Sequence, residues 1–244
     1  MHEFVWLPTI YPALVSFGSV LVLTPLTRMV AQRVGMVAAP RADRWHSKPT
    51  ALLGGVAVFA GFALTLGFTA LYEKQLYGML IGSAIIFVLG LVDDLISLAP
   101  LTKLLGIFVA GGFVIASGLA LPWFPGSPLL DFAVTMLWLV GITNAMNLLD
   151  NMDGLSPGIA LIASIFLALA FSVDGHPLMV MLALALAGAV AGFLLYNFYP
   201  ASIFMGDSGS MFLGFFLASL TLIDRKSTRL NSSHVALSRM PSSA

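Results

Sequence analysis

The sequence predicts an all-α, polytopic transmembrane helix bundle, on four observations. Of 244 residues, 59% are hydrophobic and 9% are Asp, Glu, Lys or Arg, whereas a soluble domain carries roughly 25% charged residues. Mean hydropathy is +0.99. The apolar residues fall into about eight long runs without strand-like alternation. In lipid such runs must be helices, because every backbone polar group needs an internal partner. The carboxylates, finally, gather in the gaps between runs.

A bilayer core needs about 20 apolar residues per helix. The runs are Tyr11–Val30, Leu52–Tyr72, Leu76–Val92, Leu104–Leu121, Leu129–Thr143, Ile159–Val173, Leu178–Leu195 and Ser210–Ile223. Successive gaps alternate sides, so gaps one, three, five and seven share a face. Arg28, Arg33, Arg41, Arg44, Lys48 and Lys103 lie in or beside those odd gaps, against Lys74 alone in the even ones. The positive-inside bias therefore places the odd gaps in the cytoplasm, in a multi-pass membrane protein. The even gaps, Glu73–Gln75, Pro122–Pro128 and Asp174–Pro177, are short, and Pro and Gly break two of them. Gly78/Gly82 and Gly188/Gly192 are small-residue pairs that let helices approach closely.

A retained first helix is expected rather than a cleaved leader, since Glu3 precedes the first run and Arg28 and Arg33 follow it. Zero net charge argues against nucleic acid as a partner. With no cysteine, disulfides and thiolate metal sites are excluded. After Ile223 the apolar pattern stops. Asp224 to His234 reads like the translation of a sequencing-library adapter, so residues 224–244 are expected to be a non-native tail on a C-terminally truncated membrane domain of residues 1–223.

Four segments carry the chemistry. Asp93-Asp94 closes the third run. Two adjacent carboxylates facing a helix's negative end call for a compensating cation or metal. In N-A-M-N-L-L-D-N-M-D-G-L, Asn144, Asn147, Asp150 and Asp153 recur at every third position. On a helix they form a winding polar stripe whose oxygens suit a hard cation such as Mg²⁺. In N-F-Y-P-A-S-I-F-M-G-D-S-G-S, Gly206 and Gly209 flank Asp207 and would let backbone approach phosphate oxygens. Ser208 and Ser210 there can cap the following helix. The G-D-S-G string also occurs in serine proteases, but no suitable His or β-barrel pattern accompanies it. The first gap concentrates Arg41, Arg44, His46 and Lys48, cations suited to substrate phosphates.

Together these segments resemble the polyprenyl-phosphate N-acetylhexosamine-1-phosphate transferases of glycosyltransferase family 4, which include the phospho-N-acetylmuramoyl-pentapeptide transferases. The matching pieces are D-R-W-H-S-K-P-T, D-D followed by L-I-S-L, the Asn144–Leu155 run, and F-M-G-D-S-G-S with Asn197 upstream. They come in the family's order and span nearly all of residues 1–223. The resemblance implies transfer of a sugar-1-phosphate from a UDP-sugar to polyprenyl phosphate with Mg²⁺, releasing UMP, as the first membrane step of cell-envelope glycan synthesis. By motif match, Asp207 and Asn147 would be metal ligands, and Asp93, Asp94, Asp150 and Asp153 catalytic. Arg44, His46, Lys48, Asn144 and Asn197 would bind substrate. The resemblance leads us to expect convergence of the five carboxylates about one ion, an apolar groove for the lipid tail, and a homodimer as the protein assembly.

The chain departs from the family pattern in two places. Ala51 stands where a proline often follows Pro49-Thr50. The family has about ten or eleven spans and a later loop rich in His and Arg, so the transferase domain is expected to be incomplete, and an inactive fragment is one reading. UDP-N-acetylglucosamine is the preferred donor, because the first loop lacks the Lys-Arg-Gly-Thr-Pro-Thr form of the muramoyl-pentapeptide enzymes. A transporter is the remote alternative; its acidic groups would be expected near the midplane.

Overall fold

In a computed structural model, residues 6–38, 50–67 and 74–238 are described. Among them are eight helices: α1 (Trp6–Arg33), α2 (Gly54–Gly67), α3 (Lys74–Ile96), α4 (Pro100–Ala116), α5 (Pro128–Leu149), α6 (Leu155–Val173), α7 (Pro177–Asn197) and α8 (Gly206–Ser238). Two short strands, β1 (Val37–Ala38) and β2 (Thr50–Ala51), pair antiparallel. Six helices contain stretches long and apolar enough to cross a membrane; α2 and α4 are apolar but shorter, at 14 and 17 residues. The predicted membrane bundle is thus the architecture found.

The apolar part of α8, Gly206–Ile223, is the central post. It packs against α3 and α5 most extensively, with α2 and α6 completing its surround. Phe212, Phe215 and Phe216 are fully buried along it. Phe59 of α2 stacks on Phe87 of α3 at 4.0 Å and meets Phe212 edge-on at 5.1 Å, while Phe62 meets Phe216 at 4.8 Å. Offset and edge contacts of this kind fix relative helix position as well as burying area.

Both predicted small-residue pairs lie at close helix crossings. A Cβ on Gly82 would lie 2.8 Å from Phe215, and Gly78 faces Ser117 and Phe113 of α4. Gly188 and Gly192 of α7 face the backbone of Ala13 and Phe17 in α1. Several hydroxyls buried in the bundle turn back onto their own helices. Thr24, Thr65, Thr143 and Ser164 each donate to the carbonyl four residues earlier, a partner always within reach in a helix.

Helix boundaries shift from the predicted runs where local chemistry outweighs hydropathy. The fourth run begins at Pro100 because proline suits the first helical position, and it ends before Gly118, which has φ +93°. α5 carries on through Asn144 and Asn147 to Leu149, and α8 begins at Gly206 rather than Ser210. Each extension draws polar residues into a helix end. The second run's last residues, 68–72, lie outside the described residues.

Candidate active site at one end of the bundle

Hydrogen bonds tie the odd gaps together at one end of the bundle. After α1 the chain forms the β1–β2 pair, with Val37 opposite Ala51 and Ala38 opposite Thr50. β2 then meets the segment preceding α8: Phe204 N–H donates to the Ala51 carbonyl at 2.8 Å. The N–H groups of Gly54 and Gly55, which open α2, donate to the carbonyls of Phe204 and Met205 at 2.9 and 2.8 Å. The start of α2 and the approach to α8 thus satisfy each other's otherwise unpaired backbone groups.

Asp93 and Asp94 occupy the last turn of α3, Lys103 the first turn of α4, and Asp207 the first turn of α8. The Lys103 ammonium pairs with Asp93 Oδ2 and lies 2.6 Å from Asp207 Oδ2. One cation therefore joins two carboxylates from different helices. Asp93 Oδ1 accepts the Leu98 N–H at 2.5 Å, which folds the α3–α4 turn over the carboxylate. Asp94 points the other way. Its Oδ1 accepts the Asp207 N–H at 2.8 Å and its Oδ2 the Ser208 N–H at 3.0 Å.

The approach of α3 to α8 depends on glycine at two positions. A Cβ on Gly90, one turn before Asp94, would lie 2.5 Å from the Asp207 carbonyl oxygen. Gly206 has φ +77°, a left-handed conformation that favours glycine, and its missing side chain would lie 2.8 Å from Asp94 Oδ2. Gly209, expected to admit a phosphate, packs against Gly55 and Met205 instead. The predicted serine caps are also replaced. Asp94 caps α8 from another helix, and the Ser210 hydroxyl donates to the Gly206 carbonyl at 3.1 Å.

Asn147 reaches this cluster from α5, its amide donating to Ser210 Oγ at 3.0 Å. The predicted helical stripe ends there. α5 stops at Leu149, Asp150 is its C-cap, and Asp153 lies in the turn before α6. Asn144 is exposed and donates to its own helix at the Val140 carbonyl, 2.8 Å away.

A second node joins the α5–α6 and α7–α8 loops. Asn197, 2% exposed, accepts the Gly154 N–H at 3.0 Å and donates to the Ile203 carbonyl at 2.9 Å. Asp153 Oδ2 accepts the Ala201 N–H at 2.9 Å. Of the five carboxylates expected to converge, Asp93, Asp94 and Asp207 form one hydrogen-bonded and ionic cluster, and Asp153 takes part in this second node. Arg44, His46 and Lys48 lie outside the described residues; the structure fixes β1 and β2 on either side of them.

Lys103 is the residue that sequence reasoning left out of the site, reading it only as a sign of orientation. Its signal was its place four residues into a proline-started helix, directly after the Asp pair. A substituent in the first turn of α4 can point back toward the end of α3.

The donor set fits a hard divalent ion completed by substrate. Two carboxylates, Asp93 and Asp207, already share one cation. Mg²⁺ is commonly bound through one or two carboxylates together with substrate phosphates and waters, not by an all-protein cage. Among the described residues, no group of three or more His, Cys, Asp or Glu is arranged to hold a metal.

The family model described as glycosyl transferase family 4 matches residues 76–224, the stretch that contains Asp93, Asp94, Lys103, Asn147 and Asp207. The match covers more than half of the chain, and the protein belongs to this family. A Bacillus subtilis (strain 168) protein named "Probable undecaprenyl-phosphate N-acetylglucosaminyl 1-phosphate transferase" is 35% identical over 86% of the chain and 61% of its own length. The decaprenyl-phosphate N-acetylglucosaminephosphotransferase of Mycobacterium tuberculosis (strain H37Rv) is 38% identical, over 79% of the chain and 54% of that protein. A phospho-N-acetylmuramoyl-pentapeptide-transferase of Limosilactobacillus fermentum is 33% identical over 79% of the chain and 66% of that protein. The chain thus spans between half and two thirds of the length of these relatives.

Proposed function

We propose that the protein transfers an N-acetylhexosamine-1-phosphate from a UDP-sugar to polyprenyl phosphate. A lipid-phosphate oxygen attacks the sugar-bearing phosphorus of the donor. The bond from that phosphorus to the bridging oxygen breaks, and UMP leaves with that oxygen. The observation that carries this reading is the cation shared by Asp93 and Asp207 where α3, α4 and α8 meet.

The acceptor's second pKa is near ~6, so it is mostly dianionic at neutral pH and needs little deprotonation. The obstacle is repulsion between that dianion and an anionic diphosphate. A bound Mg²⁺ supplies charge neutralisation on the diphosphate and the departing UMP. Asp207 and Asp93 would hold it, with Asn147 alongside. Lys103 adds a positive charge at the same point, and Arg44, His46 and Lys48 stand between β1 and β2 in the sequence. Phosphoryl transfer asks a protein mainly to position and neutralise charge, and acidic and basic groups on rigid helix ends serve both needs. The site then faces the cytoplasm across the plasma membrane, as the distribution of Lys and Arg indicates. A homodimer belongs to the same reading, and size measurement in detergent tests it.

UDP-N-acetylglucosamine is the donor of choice, on the first-loop sequence and the names of two of the relatives above. The Limosilactobacillus relative keeps the muramoyl-pentapeptide donor as the second reading. Incubating the protein with Mg²⁺, undecaprenyl phosphate and a panel of UDP-sugars, and measuring UMP, tests both. Lipid-dependent UMP release from UDP-N-acetylglucosamine is expected. Solute flux without UMP release, or no UMP from any donor, would overturn the assignment. Asp207→Asn abolishes turnover on this reading, and near-parent activity would remove Asp207 from its role.

A further inference from the structure

We propose that the two adjacent carboxylates at the end of α3 divide their work, and that Asp94 is a positioning residue that fixes Asp207 by capping α8. Asp94 takes neither metal nor proton. The assignment of Asp207 to the reaction rests on the function proposed above; the cap itself is independent of it.

The geometry separates the pair. Asp93 turns toward Lys103 and the cation shared with Asp207. Asp94 engages both of its oxygens with the Asp207 and Ser208 N–H groups, at 2.8 and 3.0 Å. These are among the first N–H groups of α8, which have no partner within their own helix. A carboxylate there accepts charge-assisted bonds and sits at the positive end of the helix dipole. Its donors are backbone groups at the start of a helix, so a carboxylate turned toward an ion would leave them without this partner.

Two glycines serve this one contact. Gly90 lets α3 come within reach of Asp207 and Ser208, and Gly206 clears the space in front of the Asp94 oxygens. Cap and functional carboxylate also share a residue: the N–H that Asp94 holds belongs to Asp207 itself. Losing the cap frees the backbone from which the Asp207 carboxylate projects, so it disturbs placement of that group without removing a donor from the cation.

The test uses the full chain in detergent, comparing parent, Asp94→Asn, Asp93→Asn and Asp207→Asn. Asn at 94 retains one acceptor oxygen, so the variant keeps one of the two bonds. Three quantities are read: hydrogen–deuterium exchange at the Asp207 and Ser208 amides, Mn²⁺ affinity by electron paramagnetic resonance, and kcat and KM for UMP release. In the parent both amides are protected, a measurement that needs no variant to fold. In Asp94→Asn the exchange of at least one of them quickens by on the order of ten- to hundredfold, as expected for losing about one capping bond. Mn²⁺ affinity stays within about threefold of parent, as for a group outside the ion's ligands, whereas Asp207→Asn loses at least about tenfold. kcat falls while KM for the sugar nucleotide holds. Mn²⁺ binding lost in Asp94→Asn as fully as in Asp207→Asn would overturn the proposal, as would unprotected amides in the parent or unchanged exchange in the variant. A parent that binds no Mn²⁺ and releases no UMP defeats the proposed function instead, and amide exchange then decides the cap by itself.

Discussion

Gly90→Ala adds a single methyl group, and its consequence can be worked from geometry. The new Cβ would lie 2.5 Å from the Asp207 carbonyl oxygen and 2.6 Å from the Ser208 Cα, where ordinary contact begins at 3.4 Å. Relief requires α3 and α8 to separate by about 0.9 Å, and the opposing atoms are backbone, which cannot rotate away. If that motion falls along the Asp94 bonds, 2.8 and 3.0 Å stretch to as much as ~3.7 and ~3.9 Å, beyond hydrogen-bonding range. Overpacking alone costs about 1–3 kcal/mol. Losing a cap adds roughly 0.5–2 kcal/mol. Against this stands the gain of about 1 kcal/mol that alanine brings over glycine within a helix. The net expectation is a loss of roughly 0.5–4 kcal/mol and a fall in UMP release. Gly112→Ala, where nothing lies within 4 Å of the added methyl, is the control; there the helix gain stands unopposed. Thermal unfolding in detergent, followed by tryptophan fluorescence, should rank Gly112→Ala at or above parent and Gly90→Ala clearly below. Equal stability of the two variants would refute the account of the α3–α8 crossing.

Three further outcomes follow from the site. Asn197→Leu keeps similar bulk but strands the Gly154 N–H and the Ile203 carbonyl, at about 1–3 kcal/mol for each unsatisfied group; a melting temperature unchanged from parent would show that the second node is unimportant. Lys103→Met leaves Asp93 and Asp207 facing one another and should cut UMP release at least about 100-fold. Asp93 is buried and would lose its cation, so the variant should also unfold at a lower temperature than parent; turnover within a few fold of parent would exclude Lys103 from the chemistry. Asp174→Asn, at the exposed C-cap of α6 on the opposite end of the bundle, should leave turnover nearly intact, and a large loss would contradict the placement of the site.

Much of this arrangement was legible in the sequence because hydropathy and parity are one-dimensional signals. Counting apolar runs sufficed to place Asp93, Asp94, Asn147, Asn197 and Asp207 at one end of the bundle. What escaped was long-range. Asp94 caps a helix that starts more than a hundred residues later, and the serines beside Asp207 offered a nearer cap on pattern alone. The stripe from Asn144 to Asp153 ran past the true end of α5, because spacing by threes does not reveal where a helix stops. Lys103 was misjudged for a related reason: one lysine in a short gap looks the same whether it marks orientation or enters an active site. Gly209 was read as room for a ligand, yet the room is filled by Gly55 of α2. In each case the sequence supplied the residue's chemistry, and its partner came from packing.

The electrostatics of the helix ends argue that this cluster is more than a structural joint. A carboxylate is favoured near a helix N-terminus and an amine near a C-terminus. Asp207, in the first turn of α8, obeys that rule, and Asp94 benefits from the same positive end. Asp93 and Lys103 break it: the carboxylate sits in the last turn of α3 and the amine in the first turn of α4. Exchanging those two charges would serve each helix better while keeping a bridge between them. The sequence keeps the less favourable arrangement and offsets it with the Lys103 contacts to Asp93 and Asp207. Local rules broken by two neighbouring charges, and offset by one shared cation, are what a functional site looks like. The direction of the breach is informative too. It gathers negative charge around a single cation at a membrane-proximal helix end, the condition under which an ion and an incoming phosphate can both be held.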